Sequence, residues 1–290
     1  MRSLASSICW QLGIGDPRYV EIESKKRVVP EDAKDLRKHL LKRKDIQHKK
    51  RVSFFDQFLD TQDLDLLKLG ASLRLRYKGN GAHVYLQYKG PGFHRSGLLY
   101  RSEFSSDRLE RVVREESHHD MVRFSDTSVR EILERHVKPA MAEAMRRHLG
   151  NHVIDRINTG PILCNYQKDK FVVDVGSAEL EPSLDRLFAF HINQSGLHAL
   201  STFWEYENEI KCWDGALETK IKHIPELLKF DASLAHKFDL RPERLARIHA
   251  MAPGVALFQN AAEMMDNAKP EAVVVATPTR THYEVVRQAL

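Results

Sequence analysis

Three charged residues, Glu21, Glu23 and Lys25, occupy every second position of the stretch RYVEIESKKRV, residues 18–28. Because successive side chains of a β-strand point to opposite faces, a strand here would carry all three on one face and aliphatic residues on the other. Two carboxylates spaced in this way can hold a divalent metal ion, and an ammonium group beside them can hold an anion. A charged face that meets water at the edge of a sheet is the simpler alternative.

Later stretches repeat this alternation with basic residues. The stretches SLRLRYK and HVYLQYK flank GNG, which is a strong hairpin signal, and LLYRSEF continues the pattern. Guanidinium groups bind phosphate oxygens through two parallel hydrogen bonds, so these faces suit a phosphorylated ligand. The cations on the charged faces are Lys25, Arg74, Arg76, Lys78, Lys89 and Arg101.

Acidic residues return near the end of the predicted set of strands. The acids on the charged faces are Asp174 in FVVDVG, and Glu205, Glu207 and Glu209 in FWEYENEIK. Lys168 and Lys170 share a strand face with Asp174, and they are either further cations of the site or surface lysines.

The elements that must position these residues are antiparallel strands. A barrel closed from such strands hides its edges, and it can turn a polar face inward if a ligand fills the lumen. Burying either charged set alone would cost several kcal/mol per ion, so a ligand with matching charge is expected. A polyphosphate that carries Mg²⁺ or Mn²⁺ matches both sets. Apolar residues three and four apart predict helices over residues 30–51 and 107–152.

The motifs resemble those of the CYTH superfamily, the triphosphate tunnel metalloenzymes. EIESKK is similar to the E-x-E-x-K signature, and FLDTQDLDLLKLGASLRLRYK to the arginine block, with Phe58 in place of the usual tyrosine. YLQYKGPG, YRSEF, FVVDVG and EYENEIK resemble the later strands in the same order, so the likeness covers residues 18–215. The resemblance implies an eight-stranded antiparallel tunnel that hydrolyses or cyclises a triphosphate with Mg²⁺ or Mn²⁺.

The resemblance also implies roles for individual residues. Lys89 becomes the candidate for neutralising the leaving oxygen, and Glu21 and Glu23 become catalytic as well as metal-binding. Strand parity admits three of the last glutamates, of which the sequence favours Glu207 and Glu209. The implied metal ligands are Glu21, Glu23, Asp174, Glu207 and Glu209, and the implied substrate-binding residues are Lys25, Arg74, Arg76, Lys78, Lys89 and Arg101.

Inorganic triphosphate is the first substrate expected, because a small anion needs only charge. Thiamine triphosphatase activity and class IV adenylyl cyclase-like activity are alternatives, and they would need an apolar shelf for which Tyr19, Tyr85 and Trp204 are available. A non-catalytic polyphosphate or nucleotide-binding module fused to an oxidoreductase fragment is an alternative of another class. RNA is not expected as a partner, since no combined aromatic and basic platform is present.

The composition indicates the class of protein and its expected compartment. The chain has 290 residues, of which 29% are charged and 42% are hydrophobic, and this balance indicates a globular protein and not a disordered or membrane-embedded one. The formal charge of +5 suits an anionic ligand. Three widely spaced cysteines, Cys9, Cys164 and Cys212, form no disulfide or zinc pattern, so the expected compartment is the cytoplasm, without a membrane anchor.

The C-terminal segment changes character. From Asp231 onward the sequence reads as helices around the continuous apolar strand AVVVATP, which is typical of α/β structure. ATPTRTH resembles a strand end in the nucleotide-binding domain of Gfo/Idh/MocA oxidoreductases. No G-x-G-x-x-G motif precedes it, so the phosphate-binding turn of a Rossmann unit is missing and no bound dinucleotide is expected. The sequence therefore predicts a tunnel domain over residues 1–230 and a partial Rossmann-like segment over residues 231–290.

Overall fold

The computed structural model describes residues 3–78, 83–109, 132–193, 196–238 and 240–242. The chain divides into two compact units, Met1–Leu240 and Arg241–Leu290. Nearly all of the second unit, including the predicted strand AVVVATP, lies outside the described residues. The boundary predicted at residue 230 stays a prediction.

Eight antiparallel strands form a closed barrel in the first unit. The strands of the described residues are β1 (Val20–Val28), β2 (Gln47–Asp60), β3 (Ser72–Lys78), β4 (His83–Lys89), β5 (Phe93–Arg95, paired with β6), β6 (Leu98–Ser105), β7 (Asn158–Asp174), β8 (Ala178–Asn193), β9 (Gly196–Cys212) and β10 (Leu240–Pro242). The order around the barrel is β1-β9-β8-β7-β2-β3-β4-β6, and pairing of β6 with β1 closes the ring. The eight-stranded antiparallel barrel expected from the sequence is therefore confirmed.

Helices accompany the barrel strands. None of those in the described ranges combines the length and apolarity needed to cross a bilayer. The helices are α1 (Leu4–Gln11), α2 (Pro30–Lys42), α3 (Asp65–Lys68), α4 (Pro139–Leu149), α5 (Asn151–Ile154), α6 (Leu217–Lys222) and α7 (Ile224–Ala235), with a 3₁₀ turn at Pro17–Tyr19.

Helix α2 is shorter than the sequence predicted. It begins with Pro30 at its first position, carries acids in its first turn and ends at Lys42 instead of continuing to residue 51. The basic stretch from Gln47 to Arg51 belongs to β2, where it pairs with β7. Ladder hydrogen bonds to β7 outweigh the local helical pattern there, because they exist only in the folded sheet. Of the helical stretch predicted over residues 107–152, the part from 110 to 131 lies outside the described residues.

The main hydrophobic core lies between the outer face of the barrel and the helices. Leu73, Leu75 and Tyr77 of β3 are buried on this outer face, as are Leu36 of α2 and Leu227 of α7. Full burial of such a side chain stabilises the fold by roughly 2 kcal/mol. The alternate positions of β3, which carry the arginines, therefore point into the barrel.

Candidate active site

A cavity of about 640 Å³ occupies the lumen, and charged side chains dominate its wall. Ten of the lining residues are basic and seven are acidic, so the wall carries an excess of positive charge. Ten of the eleven site residues predicted from the sequence line this one cavity. They are Glu21, Glu23, Lys25, Arg74, Arg76, Lys78, Lys89, Arg101, Glu207 and Glu209.

Asp174 is the predicted site residue that the structure places elsewhere. It is exposed at the end of β7, and its carboxylate accepts a hydrogen bond of 2.7 Å from the backbone N–H of Gly176 in the following turn. The structure therefore does not bring Asp174 together with the other predicted metal ligands. Strand parity gave the correct face, but β7 extends beyond the level of the cavity before it turns.

Strand β8 supplies two lumen acids that the sequence analysis missed. Glu181 and Asp185 both line the cavity, and Asp185 is buried. The signal was present in AELEPSLDRL, where acidic residues alternate with apolar ones at period two. Lys168 and Lys170 also line the cavity, so they belong to the charged lumen and are not surface lysines.

Three carboxylates from three strands form an acidic cluster. One oxygen from each of Glu21, Glu103 and Glu209 lies within 4.8 Å of the other two. Beside them, Glu23 is buried and its Oε2 atom has no hydrogen-bond partner among the described residues. Hard carboxylate oxygens at this spacing suit Mg²⁺ or Mn²⁺. The cluster and the unsatisfied oxygen of Glu23 therefore fit the divalent metal that the motifs imply.

The protonation of this cluster reflects its crowding. Burial, together with the charges of Glu103 and Glu23, raises the pKa of Glu21 to about 7. Burial and the charge of Glu21 likewise raise the pKa of Glu209 to about 7. Burial acts in the same direction on Glu103, but Lys89 and Arg74 outweigh it and lower the pKa of Glu103 to about 2. Without a cation, the three carboxylates are therefore not all ionised at neutral pH.

Lys89 connects the acidic cluster to the rest of the lumen. Its Nζ atom lies 2.6 Å from Oε2 of Glu21 and 3.6 Å from Oε1 of Glu103. Burial opposes the charge on Lys89, yet the two carboxylates outweigh burial and raise the pKa of the ammonium group. Lys89 is therefore a fixed positive charge at the edge of the candidate metal site.

A buried aspartate organises two of the predicted phosphate-binding arginines. Asp56 is fully buried and accepts two hydrogen bonds of 2.7 Å from Nε and Nη2 of Arg76. Its Oδ2 atom also lies 3.0 Å from Nη1 of Arg74. The guanidinium of Arg74 further donates to Gln87 at 3.3 Å. Asp56 thus orients both arginines in the lumen, and nothing in its local sequence distinguished it from an ordinary strand residue.

A second charged network lies on β1, β7, β8 and β9. Nζ of Lys168 lies 2.8 Å from Glu207 and 3.1 Å from Asp185, and Nζ of Lys25 lies 3.2 Å from Glu205. Burial opposes ionisation of Glu207, but Lys168 and Lys25 outweigh it and hold its pKa well below the usual range. These pairs balance part of the charge on the cavity wall.

One part of the cavity wall is apolar. It consists of Val52, Phe54, Phe58 and Tyr166. The rings of Phe54 and Tyr166 stack with centroids 4.9 Å apart, and the guanidinium of Arg76 lies 4.1 Å above the ring of Phe54. We call these four residues the apolar wall.

The aromatic residues considered from the sequence do not line the cavity. Tyr19 stacks on Phe104, and Trp204 packs against the main core. Tyr85 lies beneath Lys78, whose ammonium group is 5.1 Å from its ring centroid. The apolar wall, and not these residues, could therefore contact an organic group in the lumen.

Comparison with known proteins agrees with this geometry. A family model described as the CYTH domain matches residues 20–158, and one described as an oxidoreductase family with an NAD-binding Rossmann fold matches residues 218–290. No curated protein matches the chain. The second match confirms the sequence resemblance of the C-terminal segment to part of that oxidoreductase family.

A solved structure shares the fold. A Hippeastrum protein, described as a putative adenylyl cyclase with a dominant triphosphatase activity, is 18% identical over 82% of this chain and 97% of its own, with a TM-score of 0.50. The capping enzyme triphosphatase of Mimivirus is 9% identical over 77% of this chain and 94% of its own, with a TM-score of 0.36. At 18% identity, the likeness to the Hippeastrum protein concerns the fold and not the activity. The chain is therefore similar to the CYTH domain over residues 20–158, and to an oxidoreductase family with an NAD-binding Rossmann fold over residues 218–290.

Proposed function

We propose that this protein hydrolyses a triphosphate inside the barrel, with Mg²⁺ or Mn²⁺ bound at the acidic cluster. The observation that carries the proposal is that opposite charges line a single cavity. Carboxylates of Glu21, Glu103 and Glu209 meet on one side of it, and the guanidinium groups of Arg74 and Arg76 are held in the same lumen by Asp56. A metal-bound triphosphate would satisfy both sets at once.

The cations would bind the phosphate chain. Arg74 and Arg76 offer planar forks that match phosphate oxygens, and Asp56 fixes their orientation before the substrate enters. Lys25, Lys78 and Arg101 line the same cavity and would add charge along the chain. Because these groups are already positioned, little reorganisation is needed when negative charge develops in the transition state.

The acids and Lys89 would act on the reacting phosphoryl group. We assign Glu21, Glu23, Glu207 and Glu209 as metal ligands, with Glu103 added from the structure. When bound, the metal lowers the pKa of a water molecule and neutralises phosphate charge. A carboxylate of Glu21 or Glu23 would orient that water for in-line attack. Lys89 would neutralise the leaving oxygen, since its ammonium group is fixed beside this cluster.

Inorganic triphosphate remains the first substrate, because the cavity wall is mainly charged. The apolar wall favours a second candidate, an organic triphosphate such as thiamine or adenosine triphosphate. A nucleobase or thiazole ring could lie against Phe58, which is half-buried at the cavity. Cyclisation of adenosine triphosphate is the third possibility, and it would use the same metal and phosphate contacts.

The decisive experiment measures phosphate release from inorganic, thiamine and adenosine triphosphates, with and without Mg²⁺ or Mn²⁺. We expect metal-dependent release that Glu21→Gln and Arg74→Ala abolish. Asp174→Asn is the matched control, because it removes a predicted ligand that lies outside the cavity, and it should retain activity. Thermal stabilisation by triphosphate without any turnover would instead support a non-catalytic binding module. Near-full activity of both lumen variants would refute the assignment.

The cytoplasm remains the predicted compartment. The C-terminal segment has no assigned activity, because its sequence lacks the glycine-rich turn that holds a dinucleotide phosphate. Testing the full chain for NAD binding by fluorescence would examine this separately from phosphate release.

A further inference from the structure

A buried carboxylate outside the lumen touches both strands that carry the EIESKK and EYENEIK motifs. Asp231 of α7 is 3% exposed and does not line the cavity. Its Oδ2 atom accepts a hydrogen bond from Oγ of Ser24 on β1. Its Oδ1 atom accepts hydrogen bonds from the hydroxyl of Tyr206 at 2.8 Å and from Nδ2 of Asn208 at 2.9 Å, both on β9. One side chain of a helix therefore bridges two neighbouring strands of the barrel wall.

The register of β1 and β9 places this bridge directly behind the candidate site. Ser24 lies opposite Asn208, and the adjacent pairs are Lys25 with Glu207 and Glu23 with Glu209. Because side chains alternate along a strand, the residues held by Asp231 point outward, and their neighbours point into the lumen. A displacement of the outer residues would thus move the metal and phosphate ligands.

Anchoring of α7 does not require a carboxylate. Leu227, Phe230 and Leu234 of the same helix are buried. In addition, Arg43 donates a hydrogen bond of 3.0 Å to Oγ of Ser233, and its guanidinium lies 4.6 Å above the ring of Phe230. A buried carboxylate is costly unless its hydrogen bonds are satisfied, and apolar packing could have replaced it. The hydrogen bonds of Asp231 are directional, so they can fix the positions of β1 and β9, which apolar packing of the helix cannot do.

We propose that Asp231 is a positioning residue, which holds β1 and β9 so that Glu23, Lys25 and Glu207 keep their spacing in the lumen. The inference rests on the proposed function, since it concerns the same site. The proposal also gives α7 a role at the site in the barrel, although α7 lies within residues 218–290, which match the oxidoreductase family. Supporting contacts of this kind typically change metal affinity or activity about 10–100-fold when they are removed.

The test uses Asp231→Asn in the full chain. Asparagine keeps the shape of the side chain but replaces one acceptor oxygen with a donor, which conflicts with the donors that Asp231 binds. The measurements are Mn²⁺ affinity by calorimetry, KM and kcat for triphosphate, and the melting temperature. We expect Mn²⁺ affinity and kcat/KM each to fall about tenfold or more. Ser233→Ala is the control on the same helix, because it removes a hydrogen bond that does not reach β1 or β9, and it should leave both values unchanged.

Two milder variants cover the case in which Asp231→Asn fails to fold. Ser24→Ala and Asn208→Ala each remove one donor to Asp231 and leave the carboxylate in place. If Asp231 positions the site, each should weaken Mn²⁺ binding, and the double variant should weaken it by less than the product of the two single effects. Melting temperatures that fall while Mn²⁺ affinity, KM and kcat stay at wild-type values would show a merely structural role and overturn the proposal.

Failure of the proposed function can be told apart from failure of this inference. Mn²⁺ binding is measured without turnover, so a wild-type chain that binds Mn²⁺ but releases no phosphate would count against the proposed hydrolysis alone. The comparison of Asp231→Asn with Ser233→Ala would still decide the role of Asp231. A wild-type chain that binds no Mn²⁺ would overturn both.

Discussion

The ammonium group of Lys89 lies 2.6 Å from Oε2 of Glu21, so the lysine of one motif is paired with the first glutamate of another. These residues are 68 positions apart in sequence, and the barrel brings them together across β4, β6 and β1. The pair joins the cations that we propose to bind phosphate to the acidic cluster. Substitution of Lys89 therefore tests whether the two charged sets work as one site.

Replacing Lys89 with glutamine should lower kcat by about 100-fold or more at saturating metal. The reason is that the variant loses the fixed positive charge expected to neutralise the leaving oxygen. Phosphate release under single-turnover conditions is the measurement. Lys49→Gln is a matched control, since Lys49 is exposed and contacts Glu181 at 3.3 Å without lining the cavity. Equal activities of the two variants would contradict the assignment of Lys89.

Metal affinity should depend on pH through Glu21 and Glu209. Both have pKa values raised to about 7 by burial and by neighbouring carboxylates. Because a metal binds the ionised carboxylates, the affinity for the metal should rise as the pH increases through about 7. It should be lower at pH values below 7. For each group that must lose a proton, the apparent affinity should drop about fivefold between pH 7 and pH 6.

Calorimetry of Mn²⁺ binding in buffers with different heats of ionisation checks this dependence. Binding should release protons at pH 6 and few or none at pH 8. The variant Glu209→Gln should bind more weakly and release fewer protons, because one titrating ligand is gone. Affinity that is constant from pH 6 to pH 8 would show that these carboxylates do not hold the ion.

Asp56→Asn should destabilise the protein strongly. Asp56 is fully buried and pairs with Arg74 and Arg76, so the variant leaves two partly buried guanidinium groups without their counter-charge. We expect the free energy of unfolding to fall by about 3–5 kcal/mol. Chemical denaturation measures the loss, with Asp174→Asn as the control.

Triphosphate should restore part of that stability. In the presence of a chelator, the anion can supply negative charge to Arg74 and Arg76 in place of Asp56. The melting temperature of Asp56→Asn should therefore rise more with triphosphate than that of the wild type. If both proteins respond equally, these arginines do not bind the phosphate chain.

Phe58→Ala separates the two substrate candidates. Phe58 is half-buried in the apolar wall, so its truncation should disturb folding less than that of buried Phe54. If an organic group lies against this wall, kcat/KM for thiamine or adenosine triphosphate should fall about 10–100-fold, with inorganic triphosphate unaffected. If Phe58→Ala and the wild type have the same kcat/KM on each of the three substrates, inorganic triphosphate stays the preferred assignment.

Folding stability should decrease in mild acid because of His148. Its Nε2 atom donates to the carbonyl of Leu12 at 2.8 Å, so Nδ1 is the acceptor of the Tyr88 hydroxyl at 3.0 Å. Burial, with a smaller effect from Arg147, lowers the pKa of His148 below its ordinary value of 6.5. The unfolded chain therefore binds the proton more readily, and stability is lost as the pH falls below 6.5.

Urea unfolding at several pH values between 7.5 and 5.5 measures this effect. The contribution of His148 should not exceed about 1.4 kcal/mol per pH unit. His148→Gln should be less stable at neutral pH but should show a shallower decline in acid. An unchanged slope in this variant would assign the decline to other groups.

The amino-acid sequence by itself determined which residues share a strand face. Alternation at period two is a local property of an extended chain, so Glu21, Glu23 and Lys25 could be grouped without knowledge of the fold. The same reasoning placed Arg74 and Arg76 on one face. It could have found Glu181 and Asp185 as well, because β8 shows the same alternation.

Only the tertiary structure decided which charged residues meet. Asp174 has the correct parity but lies beyond the cavity, whereas Glu103 joins Glu21 and Glu209 within 4.8 Å. Position along the barrel axis depends on strand register and tilt, which arise from pairing between distant segments and leave no local pattern. The contact of Asp231 with β1 likewise exists only in the tertiary structure, because Ser24 and Asp231 are 207 positions apart in sequence.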